Sequence, residues 1–311
     1  MKAHTQHPIV FKSISELMRH FEQPKPLHPL VALVNYDHFK IGLEDAGRDF
    51  LISFYKISFK KYFNGQVKYG QGYYDFEEGG LAFVAPNQLV TMSGEESSYE
   101  GYALYFHPDL IRNYQLGRNI QQYGFFSYAV SEALFLSDKE KSVIAGLFAG
   151  IENELENNID HFSQDILVSQ IELLLNYSNR FYNRQFITRK VIYNDLIGKM
   201  DAWLSDRLDS GKSSLTGLPS VQEISDYLKV SPRYLTDMLK SLTGESTQQH
   251  IHNRLIENAK DILSTSRLTI AEIAYHLGFE HPQSFNRLFK RSTNLSPGAF
   301  RQSFSLPPNN K

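Results

Sequence analysis

The 311-residue chain contains no cysteine, which excludes a disulfide scaffold, a thiolate metal site and a cysteine nucleophile together. It has no apolar stretch long enough to span a bilayer, so no membrane helix is expected. Its opening, MKAHTQHPIVFKSISELMRH, lacks the continuous apolar block of a signal peptide, and a cytoplasmic location is the default expectation. Low-complexity sequence is missing except for the short polar tail at 307–311. A strong excess of either charge is missing too, with 32 Lys+Arg against 34 Asp+Glu and a net charge of −2. That average conceals an asymmetry. Residues 188–311 carry 16 basic and 12 acidic side chains, a net of +4, which leaves 16 against 22 in residues 1–187, a net of −6. A basic part joined to an acidic part is a modest hint of nucleic-acid binding.

What is present is an ordinary composition, 41% hydrophobic and 21% charged, on a chain long enough for two domains with separate cores. Residues 30–106 are rich in aromatic and β-branched residues and read as strands: VALVNY, FLISFYKISFKKYF, QVKYGQGYYDFE, LAFVAP and YEGYALYFHP. Turn signals separate them at Asn64-Gly65, Glu78-Gly79-Gly80, Pro86-Asn87 and Ser93-Gly94. Short strands punctuated in this way suggest a small sandwich or barrel. The period changes at Ser137, where Ser137 and Glu140 match a capping box. Val143, Ile144, Leu147, Phe148, Ile151 and Leu155 then recur at helical spacing, and a second run carries Ile166, Leu167, Ile171, Leu174, Leu175 and Tyr182. This stripe suits packing on the barrel or against a twin helix of another subunit, and periodicity does not choose. The boundary between the two parts is expected around 186–192, with helical sequence beyond it broken near 209–219, 244 and 264–268.

Two segments of the C-terminal part are alike. ISDYLKVSPRYLTDMLKSLTG begins at Ile224, and IAYHLGFEHPQSFNRLFKRSTN begins forty-nine residues later at Ile273. Ile224 aligns with Ile273, Leu228 with Leu277 and Val230 with Phe279. After one extra residue, Leu235 aligns with Phe285 and Leu239 with Phe289. Each copy has the layout of a helix-turn-helix. A short amphipathic helix ends near Leu228 or Leu277, a tight turn follows, and a second helix opens near Ser231-Pro232 or His281-Pro282. Gly278 gives the second turn the backbone freedom it needs. The polar residues between the apolar positions fall on the outer face of each second helix: Arg233, Thr236, Asp237 and Lys240, then Gln283, Asn286, Arg287 and Lys290. A major groove admits such a face, and Arg, Gln and Asn are side chains that read base edges there. One such pattern is common in small helical domains, so the weight rests on the repeat.

The segment from Tyr193 to Phe304 resembles the DNA-binding domain of the AraC/XylS transcription regulators of bacteria. In the second copy Ile273-Ala274, Gly278-Phe279, Phe285, Phe289-Lys290, Ser296-Pro297 and Phe300-Arg301 match the family pattern, and Arg254-Leu255, Ala259 and Leu263 match its joining helix. The resemblance implies an α+β multidomain fold with two parts. Residues 1–187 would form a cupin-like β-barrel sensor with flanking, dimerising helices, and 188–311 an all-α domain with two helix-turn-helix units. It implies seven helices there, with two recognition helices roughly 34 Å apart along double-stranded DNA. Arg233, Thr236, Asp237, Gln283, Asn286 and Arg287 would face bases, with Lys240 and Lys290 nearer phosphates. It also implies a small-molecule effector in the barrel, a homodimer, contact with RNA polymerase if the protein is an activator, and no cofactor. Tyr73, Tyr74, Phe54 and Phe83 are candidate effector-lining residues, although aromatic strand residues more often form core. Three departures from the pattern stand out: Asp237 is acidic at a position usually longer and basic or amide, Ser225 replaces an alanine, and Pro282 removes a donor.

Other functions fit less well. A metal-dependent cupin enzyme needs clustered ligands, whereas His28, His38 and His107 are scattered. His250 and His252 share a helical segment in which i and i+2 do not face each other. No Ser/His/Asp signature or phosphate-cradling glycine loop is present, and an alkyltransferase of this type would need cysteine. No enzymatic activity and no metal are therefore expected. A helical module that binds protein rather than DNA remains the rival reading, and it would lack the steep salt dependence of phosphate neutralisation.

Overall fold

A computed structural model describes residues 8–38, 45, 48–63, 66–69, 72–75, 79–91, 99–209 and 213–304. The chain divides into two compact units, Met1–Gln185 and Phe186–Lys311.

The first unit has strands β1 (Ile9–Phe11), β2 (Val31–Asn35), β3 (Asp49–Ile52), β4 (Tyr55–Phe63), β5 (Gln66–Tyr69), β6 (Gly72–Asp75), β7 (Gly80–Val84), β8 (Leu89–Thr91), β9 (Tyr99–Phe106) and β10 (Leu134–Phe135). Its helices are α1 (Ile14–His20), α2 (Pro108–Ile111), α3 (Gln115–Asn119), α4 (Asp138–Glu156) and α5 (Ser163–Thr188), the last continuing three residues past the unit boundary. Among the described residues the strands form three sheets, ordered β1-β3-β8, β10-β7-β4-β9-β2 and β5-β6. They are not joined into a closed barrel within that set. The run expected as one strand from Phe50 to Phe63 breaks at Ser53, whose N–H bonds the Phe11 carbonyl at 3.0 Å, so β3 and β4 serve different sheets. The short β1, β8 and β10 carry too few residues for an alternation to be seen in sequence. Pro86-Asn87 is a turn in which Asn87 adopts φ 63°, whereas Asn64-Gly65, Glu78, Ser93-Gly94 and the tail at 307–311 lie outside the described residues.

Period-two alternation gives the five-stranded sheet two working faces. On one, Tyr55 and Phe59 pack against the helical side, with ring centroids 4.9 Å from Phe126 and 5.5 Å from Phe148. On the other, Ala32, Val34, Val84, Ala103 and Tyr105 join Phe11, Phe50 and Ile52 of the three-stranded sheet and Ile14, Leu17 and Met18 of α1 in one buried cluster. The capping box at Ser137 and Glu140 opens α4, and Ile144, Phe148 and Ile151 of its stripe are buried within the unit. In α5, Leu167, Ile171, Leu174, Leu175 and Tyr182 are buried in the same way, leaving Val143, Ile166 and Leu173 exposed. Arg184 of α5 ties this layer together. It donates to both carboxylate oxygens of Glu140, at 3.0 and 2.6 Å, and to the Phe135 carbonyl at 2.7 Å. The stripe that the sequence left open is thus used inside the chain.

The described part of the second unit is helical: α6 (Lys190–Asp209), a single turn α7 (Ser213–Thr216), α8 (Val221–Leu228), α9 (Pro232–Thr243), α10 (Thr247–Thr265), α11 (Ile270–His276), α12 (Pro282–Thr293) and α13 (Pro297–Phe304). Helix α10 is its axis, packing against α6, α9, α11, α12 and α13 through Ile251, Leu255, Ile256, Ala259 and Leu263, all buried. No described helix is long and apolar enough to cross a membrane.

Candidate nucleic-acid interface

Each helix-turn-helix is built by the same local devices. Ser220 caps α8 and Thr269 caps α11, each in a capping box completed three residues later by Glu223 or Glu272. Such a box satisfies two backbone N–H groups that a helix start leaves unpaired. Both turns pass through a left-handed residue at equivalent positions, Lys229 at φ 58° and Gly278 at φ 92°. The next N–H then reaches back to the first helix, from Val230 to the Ser225 carbonyl at 3.1 Å and from Phe279 to the Ala274 carbonyl at 2.9 Å. Helices α9 and α12 both begin at a proline, where its missing N–H costs nothing, and both end in a left-handed residue, Gly244 or Asn294. Gly278 is held more strictly than Lys229, because a β-carbon there would lie 2.7 Å from the Gly217 backbone. Ser225 is buried with its hydroxyl unpartnered, where the second copy has Ala274.

The apolar stripes lock the helix pairs. Leu235, Met238 and Leu239 of α9 and Phe285 and Phe289 of α12 are wholly buried, each worth roughly 1.5–3 kcal/mol relative to exposure. Burial of these stripes fixes which way the remaining positions point. Gln283, Asn286, Arg287 and Lys290, at i, i+3, i+4 and i+7, are all exposed and form one stripe along α12. None of the four side chains makes a hydrogen bond or ion pair with another described residue.

The corresponding face of α9 is occupied from within. Arg233 donates to the Asp237 carboxylate at 2.9 Å. Thr236 is half-buried, with its hydroxyl 2.9 Å from the Pro232 carbonyl and 3.1 Å from the Thr247 hydroxyl. Lys240 is exposed at the end of the stripe. The two copies therefore share a backbone but not a surface: one presents an open basic and amide face, and the other a self-paired one.

Within the second unit, α10 is braced to α6. Asp201 of α6 accepts from His250 at 2.7 Å and from Arg254 at 3.1 and 2.9 Å. Burial alone would raise the Asp201 pKa, but the hydrogen bonds and charges of Arg254 and His250 outweigh it and hold the carboxyl below its usual range. Glu223 is likewise held low, since bonds from Ser220 and the Arg207 guanidinium outweigh its desolvation. Burial pulls His252 down, and the charge of Arg291 on α12 adds to it. The capping boxes and this brace escaped the sequence reading, although Ser220-x-x-Glu223 and Thr269-x-x-Glu272 were legible in it.

In the first unit, Phe54 and Phe83 are buried core residues on different sides of the sheet. Phe54 packs on Tyr105 at 5.9 Å, and Phe83 on Phe125 at 4.3 Å. The side chains of Tyr73 and Tyr74 lie outside the described residues. Several histidines have local partners: the His28 ring accepts from Leu30 N–H and the His107 ring from Asp109 N–H. Among the described residues no group of three or more His, Asp or Glu is placed to hold a metal ion.

Residues 224–303 match the family model for a helix-turn-helix domain, and residues 64–169 match that for an AraC-like ligand binding domain. The HTH-type transcriptional activator RhaS of Escherichia coli O157:H7 is 30% identical over 151 residues, 49% of each chain. RhaS of E. coli K12 (DH10B) is 29% identical over the same length and share. The chain thus spans about half the length of the curated relatives it matches. Among solved structures, the DNA-binding domain of AdpA, a global transcriptional factor in complex with a target DNA, is 25% identical over 34% of this chain and 90% of that one, with a TM-score of 0.30. ToxT from Vibrio cholerae O395 is 15% identical over 89% and 97% of the two chains, also with a TM-score of 0.30. At such scores the assignment rests on the two family models and the RhaS relatives, and on these this chain belongs to the AraC/XylS family of transcription regulators.

Proposed function

We propose that this protein is a cytoplasmic, sequence-specific transcription regulator that binds double-stranded DNA through its second unit and senses a small molecule through its first. The observation that carries the reading is the open stripe of α12, where Gln283, Asn286, Arg287 and Lys290 stand exposed on a helix locked from behind by Phe285 and Phe289. In this reading α12 reads bases and Lys290 contacts phosphate. Helix α9, with Arg233 tied to Asp237, orients the domain on the duplex through Lys240 and contributes less to sequence choice. In this reading the DNA-binding domain begins with the compact second unit at Phe186, two residues before the expected 188. The exposed Val143, Ile166 and Leu173 are left for a second copy of the chain, and an activator would further contact RNA polymerase.

Fluorescence anisotropy of the full-length protein on a selected DNA site tests this. Arg287→Ala should cost about 1–3 kcal/mol at one base position and relax specificity there. Lys290→Ala should weaken all sequences alike and reduce the salt slope by about one. If neither substitution changes affinity, α12 is not the recognition helix. Binding without a salt slope would favour a protein-binding module.

A further inference from the structure

Strand β2 ends the five-stranded sheet, with β9 on one side and no described strand on the other. Its ladder fixes which backbone groups are left over. The Leu30 carbonyl accepts from His107 N–H at 2.8 Å, and in an antiparallel pair only alternate residues bond the same neighbour. Ala32 and Val34 therefore turn their N–H and C=O groups toward β9, opposite Tyr105 and Ala103. Val31, Leu33 and Asn35 turn theirs outward. A bridge to His28 occupies Val31, whereas the N–H and C=O of Leu33 and the N–H of Asn35 bond no other described residue.

A groove of about 260 Å³ runs along this edge. On the side of α1 its wall holds Met18, Pro24, Pro26 and Leu27, the last 63% exposed. The other wall is α4, which packs on β2 and contributes Glu152, Leu155 and Glu156. Glu152 and Glu156 are four residues apart and share one helix face. Neither carboxylate is ion-paired with a described residue, and Lys25 on the opposite wall leaves the groove net acidic. Leu33 and Asn35 lie on the α4 side of the sheet. They face Leu104 and Tyr102 across the ladder, and the Tyr102 ring stacks on Phe148 of α4 at 5.8 Å.

The geometry points to a peptide-docking site, in which an extended segment of alternating basic and apolar residues adds to β2 as a further strand. Its main chain pairs with Leu33 and Asn35, the general mode of strand addition to an open sheet edge. The partner residue opposite Leu33 then points toward α4, where a lysine or arginine meets Glu152 and Glu156. Its neighbours point the other way, onto Pro24, Pro26 and Leu27. The net charge of −6 over residues 1–187 also favours a basic partner. A second copy of this chain fits less well, because two-fold pairing of β2 with itself sets α4 beside α4 and the two glutamates against their like.

The test is fluorescence anisotropy of the full-length protein with a short fluorescein-labelled peptide of alternating lysine and valine, joined to amide hydrogen exchange by NMR. In the free protein Leu33 and Asn35 should exchange quickly, while Ala32 and Val34, bonded to β9, stay protected. Saturable binding of the peptide should slow Leu33 and Asn35 about tenfold or more. Glu152→Gln combined with Glu156→Gln should weaken the peptide about tenfold through lost charge-assisted bonds and leave Tm unchanged. The same peptide N-methylated along its pairing edge keeps its charge but loses the ladder, and should not bind. No binding of the lysine–valine peptide, equal binding of its N-methylated or glutamate–valine counterpart, or unchanged exchange at Leu33 overturns the inference. Protection of Leu33 in the protein alone that rises with protein concentration puts a second copy on this edge, and overturns it too.

Discussion

Asp237 and Arg287 occupy the same position of two repeated helices with opposite charge. In α9 the carboxylate draws Arg233 onto its own helix at 2.9 Å, whereas in α12 the arginine faces outward beside Asn286 and Lys290. An exposed pair of this kind adds only about 0.3–0.5 kcal/mol to the helix, so its effect is on binding. Asp237→Asn should release Arg233 and remove a charge that repels phosphate. DNA affinity at low salt is expected to rise several-fold with little change in Tm, measured by anisotropy and thermal melting. Unchanged or weaker affinity would show that Asp237 contacts DNA itself, for instance as an acceptor from cytosine N4. The types and spacing of these residues were legible in the sequence. The pairing of Arg233 with Asp237, and the inward turn of Thr236, were not, because they depend on rotamers and on Thr247 of the next helix.

At the scale of the element, the turn decides whether two helices become a reading unit. Gly278 combines φ 92° with a backbone neighbour 2.7 Å from where a β-carbon would stand. Gly278→Ala is therefore expected to destabilise the second unit by at least about 2 kcal/mol, seen in urea unfolding. Lys229→Gly, at the equivalent and open position, should stay within about 1 kcal/mol of the parent. Equal effects at both sites would contradict the close approach of the Gly217 backbone. The helices were legible because their apolar period and proline starts are local signals. Strands β1 and β8 were not, because three residues fixed by distant partners leave no period to read.

For the whole molecule, the two-part organisation was visible in the change of texture and charge near residue 187. The compact second unit begins at Phe186, whose ring is buried 5.8 Å from Tyr193 and 5.3 Å from Tyr234. Those two tyrosine hydroxyls are themselves 3.0 Å apart. Sequence could not reveal this trio, since Tyr234 lies more than forty residues away in α9. A fragment of residues 186–311 should therefore fold and be more stable than one of 188–311, by about 1–3 kcal/mol for the lost aromatic burial. Equal melting of the two would place the edge of the domain after Phe186.

The central claim is that α12 reads sequence in DNA. It is tested most directly by selecting genomic fragments with the purified full-length protein at two salt concentrations, alongside Arg287→Ala. The account expects a shared motif whose recovery falls as salt rises, with one base position relaxed in the variant. Absence of any enriched sequence at low salt, or an identical motif from both proteins, would contradict it.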